Sequence, residues 1–150
     1  MKRIPLTQGQ FAIVDDEDFE WLTQHKWCAC WNKHAKSFYA VRSEKGEDGE
    51  WHQISMAREI LRLKRGDKQQ ADHINCNTLD NQLLSNLRIV THQQNGWNRK
   101  NSKGYYFCKP NQKYFAHIGL NGKRIYLGLF HTSKEAHGAY LKAKEVYHKF

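Results

Sequence analysis

The chain has few of the features that mark linkers, membrane spans or cross-linked secreted scaffolds. It carries 2 Pro and no Ser/Gly-rich run, so no flexible linker is marked. No apolar stretch approaches the ~18 residues a membrane helix requires, so no membrane partner is expected. The first ten residues, MKRIPLTQGQ, have basic side chains but no apolar segment. No secretion signal is therefore expected. The 4 Cys (Cys28, Cys30, Cys76, Cys108) are too scattered for a disulfide framework, and a reduced intracellular protein is the simpler expectation. A structural zinc site prefers C-x2-C pairs. Here there is one C-x-C, Cys28 and Cys30, with His25 and His34 nearby, and structural zinc is not expected. Acidic residues are also scarce: Asp+Glu is 15 against 24 Lys+Arg, a net charge of +9.

Aromatics are abundant, with 5 Trp, 7 Tyr and 7 Phe in 150 residues. They supply a core although mean hydropathy is −0.86, and they argue against disorder. The charge is uneven. Residues 1–50 hold 7 basic and 9 acidic side chains, residues 51–100 hold 8 and 4, and residues 101–150 hold 9 and 2. In the last third the cations interleave with Tyr105, Tyr106, Phe107, Tyr114, Phe115, Tyr126 and Phe130. That composition suits a nucleic-acid surface, where Lys and Arg displace counterions from phosphates. A domain with basic exposed faces is the plainer alternative.

Pattern and turn chemistry predict α+β organisation in three segments, 1–66, 67–100 and 101–150. In the first, strands are expected at 10–14, 27–31, 38–42 and 51–56. A helix should follow the acidic run Asp15–Asp18, which suits a helix N-terminus, and another should span Ala57–Leu63 and end near Gly66. The second holds six Asn between Asn75 and Asn98. It reads as a long ordered loop between a strand ending at Asp72-His73 and a strand Leu87–Val90. Thr91 and Gln94 form a capping-box pattern for a short helix to Arg99. The third predicts strands at 104–108, 114–120 and 124–130, with Asn121-Gly122 as a hairpin turn. Thr132 and Glu135 then cap a helix whose apolar face is Ala136, Ala139, Tyr140 and Ala143.

Asp72 and His73 are adjacent, and Asn95 falls in the following helix. If helix and strands converge, they bring together a carboxylate, an imidazole and an amide carbonyl. A hard divalent cation takes oxygen ligands and keeps waters or substrate phosphate oxygens. A neutral imidazole can take a proton from water near pH 7. Metal, base and phosphate together describe phosphodiester hydrolysis. An Asn-rich structural loop beside an ordinary exposed histidine is the competing reading.

The spaced residues D-H-I-N-x-N, L-D-N, S-N-L-R-I-V-T and Q-N over 71–99 resemble the HNH motif of the ββα-metal nucleases, closest to the phage and intron homing-endonuclease branch. The N-terminal run L-T-Q-G-x-F-A-I-V-D-D-x-D-F resembles the region preceding that motif. The resemblance implies Asp72 and Asn95 as ligands of Mg2+ (or Mn2+), and His73 as general base. It also implies Asn86 as the residue that holds the loop and orients the base. Residues 103–149 resemble an AP2/ERF DNA-binding module, through K-G-Y, K-Y-F-A-H-I, Y-L-G-L-F-H-T and E-A-H-G-A-Y. By that likeness Lys103, Lys109, Lys113, Tyr114, Arg124 and Tyr126 contact double-stranded DNA. For the tyrosines, packing against the helix is the alternative. Arg58, Arg88, Arg99 and Lys100 are expected on the same interface.

Three positions depart from the family pattern. Cys76 stands where Gly is usual, Ala57 where His is usual, and Tyr114 where Trp is frequent. A Cys at a φ > 0 position would strain the loop. If the usual His meets DNA, a neighbour such as Arg58 would have to substitute. The expectation is an HNH endonuclease that nicks or cleaves DNA, as a monomer or a homodimer. The alternative is a DNA-binding regulatory or accessory protein whose nuclease site is weak or idle.

Overall fold

The computed structural model describes residues 1–99 and 101–150; Lys100, expected to touch DNA, lies outside the described residues. They form a mixed α+β chain of small antiparallel sheets and four helices. The chain divides into two compact units, Met1–Asn98 and Arg99–Phe150. No described helix is long and apolar enough to cross a membrane.

In the first unit, β1 (Lys2–Pro5) pairs with β2 (Phe11–Val14), and α1 (Asp16–Leu22) follows with three acidic residues in its first turn. β3 (Cys28–Asn32), β4 (Ser37–Lys45) and β5 (Trp51–Ser55) make a three-stranded sheet in that order. Next come α2 (Met56–Ile60), β6 (Gln70–His73), β7 (Leu87–Val90) and α3 (His92–Trp97). β6 and β7 pair antiparallel. The capping box of α3 is formed, with Thr91 and Gln94 bonding reciprocally.

Segments 1–66 and 67–98, distinct in composition, share one core in which Leu87 packs with Ile4, Val14, Leu22, Trp27 and Met56. The buried Trp27 indole donates to Leu22 O at 2.8 Å, which satisfies its one polar atom. Two differences from expectation have local causes. β1 had no alternating signal in its four residues. α2 stops at Ile60 rather than Leu63 because Arg62 adopts φ +56. Leu63 N then donates to Arg58 O and Arg62 N to Glu59 O, a Schellman closure that satisfies the last carbonyls.

In the second unit, β8 (Tyr105–Cys108), β9 (Lys113–Leu120) and β10 (Lys123–Phe130) form an antiparallel sheet ordered β10-β9-β8, followed by α4 (Ser133–Tyr147). Asn121 and Gly122 both have positive φ (50° and 73°) and join β9 to β10 in a two-residue turn. Thr132 and Glu135 complete the second capping box. Ile118, Tyr140 and Ala143 are the centre of this unit's core, with Ile125 and Leu127 against it. Gly104 turns the chain into β8 at φ +69, and a Cβ there would lie 2.0 Å from the Tyr140 ring. Only glycine meets both demands, so β8 starts one residue later than expected.

Candidate active site

The β6–β7–α3 segment buries four polar side chains. Asp72 is 5% exposed, His73 6%, Asn81 1% and Asn86 3%. Buried polar groups cost free energy unless bonded, so each needs an account of its partners.

Asp72 stands directly opposite Arg88 across the β6–β7 ladder. Arg88 Nε donates to Asp72 Oδ2 at 2.8 Å, and Arg88 Nη2 lies 2.7 Å from the same oxygen. Asn98 Nδ2 donates to Oδ1 at 3.0 Å and Oδ2 at 3.1 Å, and to His73 O at 2.8 Å. Asn95, expected beside Asp72, instead donates from Nδ2 to Gln70 Oε1 at 2.6 Å. The geometry explains the offset. Gln70 and Asp72 share one face of β6, two residues apart, and Asn95 and Asn98 share one helix face, three apart. The helix lies along the strand so that the first pair meets at one end and the second at the other.

His73 Nε2 lies 3.2 Å from Asn81 Oδ1. No hydrogen bond to Nδ1 is found among the described residues, and Nδ1 is not one of the buried unsatisfied atoms. The Tyr39 ring meets the imidazole edge-on, with centroids 6.5 Å apart. Burial holds the imidazole pKa below its usual value, against smaller raising effects from Asn81, Asp72 and Asp80. The ring is therefore neutral at pH 7 and able to accept a proton.

Asn86 holds the loop. Its Oδ1 accepts from Asn75 N at 2.9 Å and its Nδ2 donates to Asp80 O at 2.6 Å. It makes no hydrogen bond to the imidazole; that contact belongs to Asn81. The loop is also fixed to the rest of its unit. Ile13 N donates to Leu79 O at 2.8 Å and Asn81 N to Ile13 O at 2.7 Å. Asp15 accepts from Gln82 Nε2 and Leu84 N, both at 3.2 Å. Thr78 bonds Phe38 O and the Ser37 hydroxyl. Cys76 has φ +61, the conformation for which the family likeness implies glycine; its thiol donates to Asn98 O at 3.3 Å.

A hard cation needs oxygen donors, and these residues have them. Among the described residues, Arg88 donates to Asp72 Oδ2 and Asn98 Nδ2 to both oxygens, so a cation would share the carboxylate with these donors. The side-chain carbonyls of Asn95 and Asn98 are further oxygens of the same kind. By chemical kind, a carboxylate and amide oxygens suit Mg2+ that keeps waters or phosphate oxygens, but Asn98 and Asn95 turn their Nδ2 atoms, not their oxygens, to Asp72 and Gln70.

The expected DNA contacts divide. Arg58 donates to Gln69 O at 3.0 Å and Lys64 O at 2.6 Å, bracing the 64–69 loop. Ala57 is buried. Arg88 is engaged with Asp72, and Arg99 is exposed. Lys103 and Lys109 are exposed, flanking β8. On the sheet, directly paired residues share a face. Arg124 faces with Gly119, Tyr126 with His117, Tyr106 with Phe115, and Lys113 with Cys108. This face is opposite the one that α4 covers. Phe115 joins the Tyr106 and Tyr126 rings at 5.0 and 4.8 Å, and those tyrosines are 48% and 56% exposed. Tyr114 is on the helix side, its ring edge-on to Tyr105 and Phe107.

Sequence reasoning did not single out Asn81 or Asn98 as site residues, and it assigned Arg88 to DNA. Spacing carried a signal for Asn98, three residues after Asn95 on the same helix face. For Asn81 the signal was weak, because its aim depends on the β2 edge. Compared with protein-family profiles, curated proteins and solved structures, the chain matches none.

Proposed function

We propose that the chain is a metal-dependent DNA endonuclease of the HNH type. β6, β7 and α3 form its ββα unit, and residues 99–150 serve as an AP2/ERF-like docking module for double-stranded DNA. The observation that carries this reading is the adjacent buried pair Asp72 and His73, one an acceptor fixed by Arg88 and Asn98, the other a neutral imidazole beside it. A core assembled only for stability gains nothing from two such groups.

In the reaction, His73 takes a proton from a water whose oxygen attacks phosphorus, and the bond to the 3′ oxygen breaks. A 5′-phosphate and a 3′-hydroxyl result, the latter taking its proton from solvent. Asp72 and an amide oxygen of α3 or its C-cap would hold Mg2+ or Mn2+. When bound, such an ion offsets charge on the phosphoryl and leaving oxygens. Asn86 keeps the 74–86 loop closed so that the base does not drift. On the second unit, Lys113 and Arg124 meet phosphates, and the Tyr106–Phe115–Tyr126 row gives an apolar contact.

The alternative, a DNA-binding protein with an idle site, is favoured by one observation: Arg88 and Asn98 already hold both Asp72 oxygens. A supercoiled plasmid incubated with the protein in Mg2+ and in EDTA separates the two. Nicking in Mg2+ alone supports the enzyme. Binding without nicking in Mg2+ and Mn2+ supports the alternative.

A further inference from the structure

Asn81 is the most buried polar residue of the site, and it makes an incomplete set of bonds. Its Oδ1 meets His73 Nε2 at 3.2 Å, while its Nδ2 is sealed from solvent with no partner among the described residues. An apolar side chain of similar size would fill the position without an orphaned amide. Packing therefore does not explain the residue, whereas its carbonyl oxygen has a defined target.

The backbone beneath Asn81 is held unusually well for a loop. Its N–H donates to Ile13 O, and Leu79 O accepts from Ile13 N, so the 79–81 segment lies as a short parallel extension on the edge of β2. The side chain is thereby aimed from a strand of the first sheet rather than from the loop alone. A carbonyl accepts and cannot donate, so an imidazole nitrogen facing it must carry the hydrogen. With Nε2 protonated, the neutral ring has its lone pair on Nδ1, the nitrogen that has no partner among the described residues.

We infer that Asn81 is a positioning residue: through its bond to Nε2 it selects the His73 tautomer whose Nδ1 accepts the proton from water. The inference rests on the nuclease reading for its consequence but not for its observation. It also gives residues 1–66 a role in the chemistry, since β2 fixes the angle from which Asn81 reaches the ring.

Long-range 1H–15N spectra of the full-length, uniformly labelled protein read the tautomer directly, with His73 identified by the signals lost in His73→Ala. The expected wild-type spectrum shows hydrogen on Nε2 and a bare Nδ1; hydrogen on Nδ1 overturns the inference. Asn81→Asp, which keeps an acceptor at the position, is expected to keep the Nε2–H form. Asn81→Leu is expected to release the ring into a mixture of tautomers and to lower kcat for nicking roughly 10–100-fold with KM unchanged. An Asn81→Leu protein whose tautomer stays as in wild type also overturns it. If the wild-type tautomer is as expected and no cation supports nicking, the nuclease reading fails and the tautomer assignment stands.

Discussion

The two units depart from ordinary burial in opposite directions. The β6–β7–α3 segment takes Asp72, His73, Asn81 and Asn86 out of water, where each must find partners or lose free energy. The sheet of the second unit does the reverse and leaves Tyr106, Phe107 and Tyr126 about half exposed beside lysines and arginines. A sequence selected only for stability would exchange these choices. On the proposed reading, the buried polar groups fix the geometry of a reaction and the exposed rings among cations make a surface for an anionic polymer with flat bases. Chemistry and docking would then be divided between the units.

The sharpest way to break the contrast is to remove the buried charge. Asp72→Ala leaves Arg88 without its carboxylate and the Asn98 amide with only the backbone carbonyls of His73 and Ile74 among the described residues. A loss of about 3 kcal/mol is therefore expected in urea unfolding of the first unit, together with loss of nicking. Full stability in that variant would mean the pair is not structurally coupled. Asn86→Ala comes next. It strands Asn75 N and Asp80 O, and about 2 kcal/mol is expected from the same measurement. An unchanged midpoint would show that the loop is held from β2 and β4 alone.

On the other side of the comparison the paired tyrosines separate docking from packing. Tyr114→Ala is expected to lower the second unit's stability by about 1–2 kcal/mol, because it removes a ring from the helix-side cluster. Tyr126→Ala is expected to leave the melting curve in place and to weaken DNA binding. The smallest effects belong to Lys113→Ala and Arg124→Ala. Each should reduce the slope of log affinity against log salt by about one. Equal behaviour of Tyr114 and Tyr126 would erase the distinction between the two faces of the sheet.

Much of the architecture was legible because local chemistry and global fold agree. The Thr91–Gln94 and Thr132–Glu135 boxes, the Asn121-Gly122 turn and the apolar stripe of α4 each specify one outcome, and each formed. The acidic run before Phe19 marked α1 for the same reason. The shared core of residues 1–66 and 67–98 was not legible, since the bonds from Ile13 and Asp15 to the loop join positions more than 60 residues apart. The exchange of Asn98 for Asn95 beside Asp72 depends on how far α3 slides along β6, and no local pattern encodes that distance. Arg88 read as a free cation because its partner is set by strand register, which a four-residue strand states weakly.

On the proposed reading, His73, neutral and buried beside Asp72, drives hydrolysis of a phosphodiester. The direct measurement is relaxation of supercoiled plasmid in Mg2+ by the wild-type chain and by His73→Ala, side by side, with DNA binding measured on both. The expected result is nicked circles with 5′-phosphate ends from the wild type, a rate lower by about 10²–10⁴ for the variant, and equal binding. Equal nicking by the two proteins would contradict it.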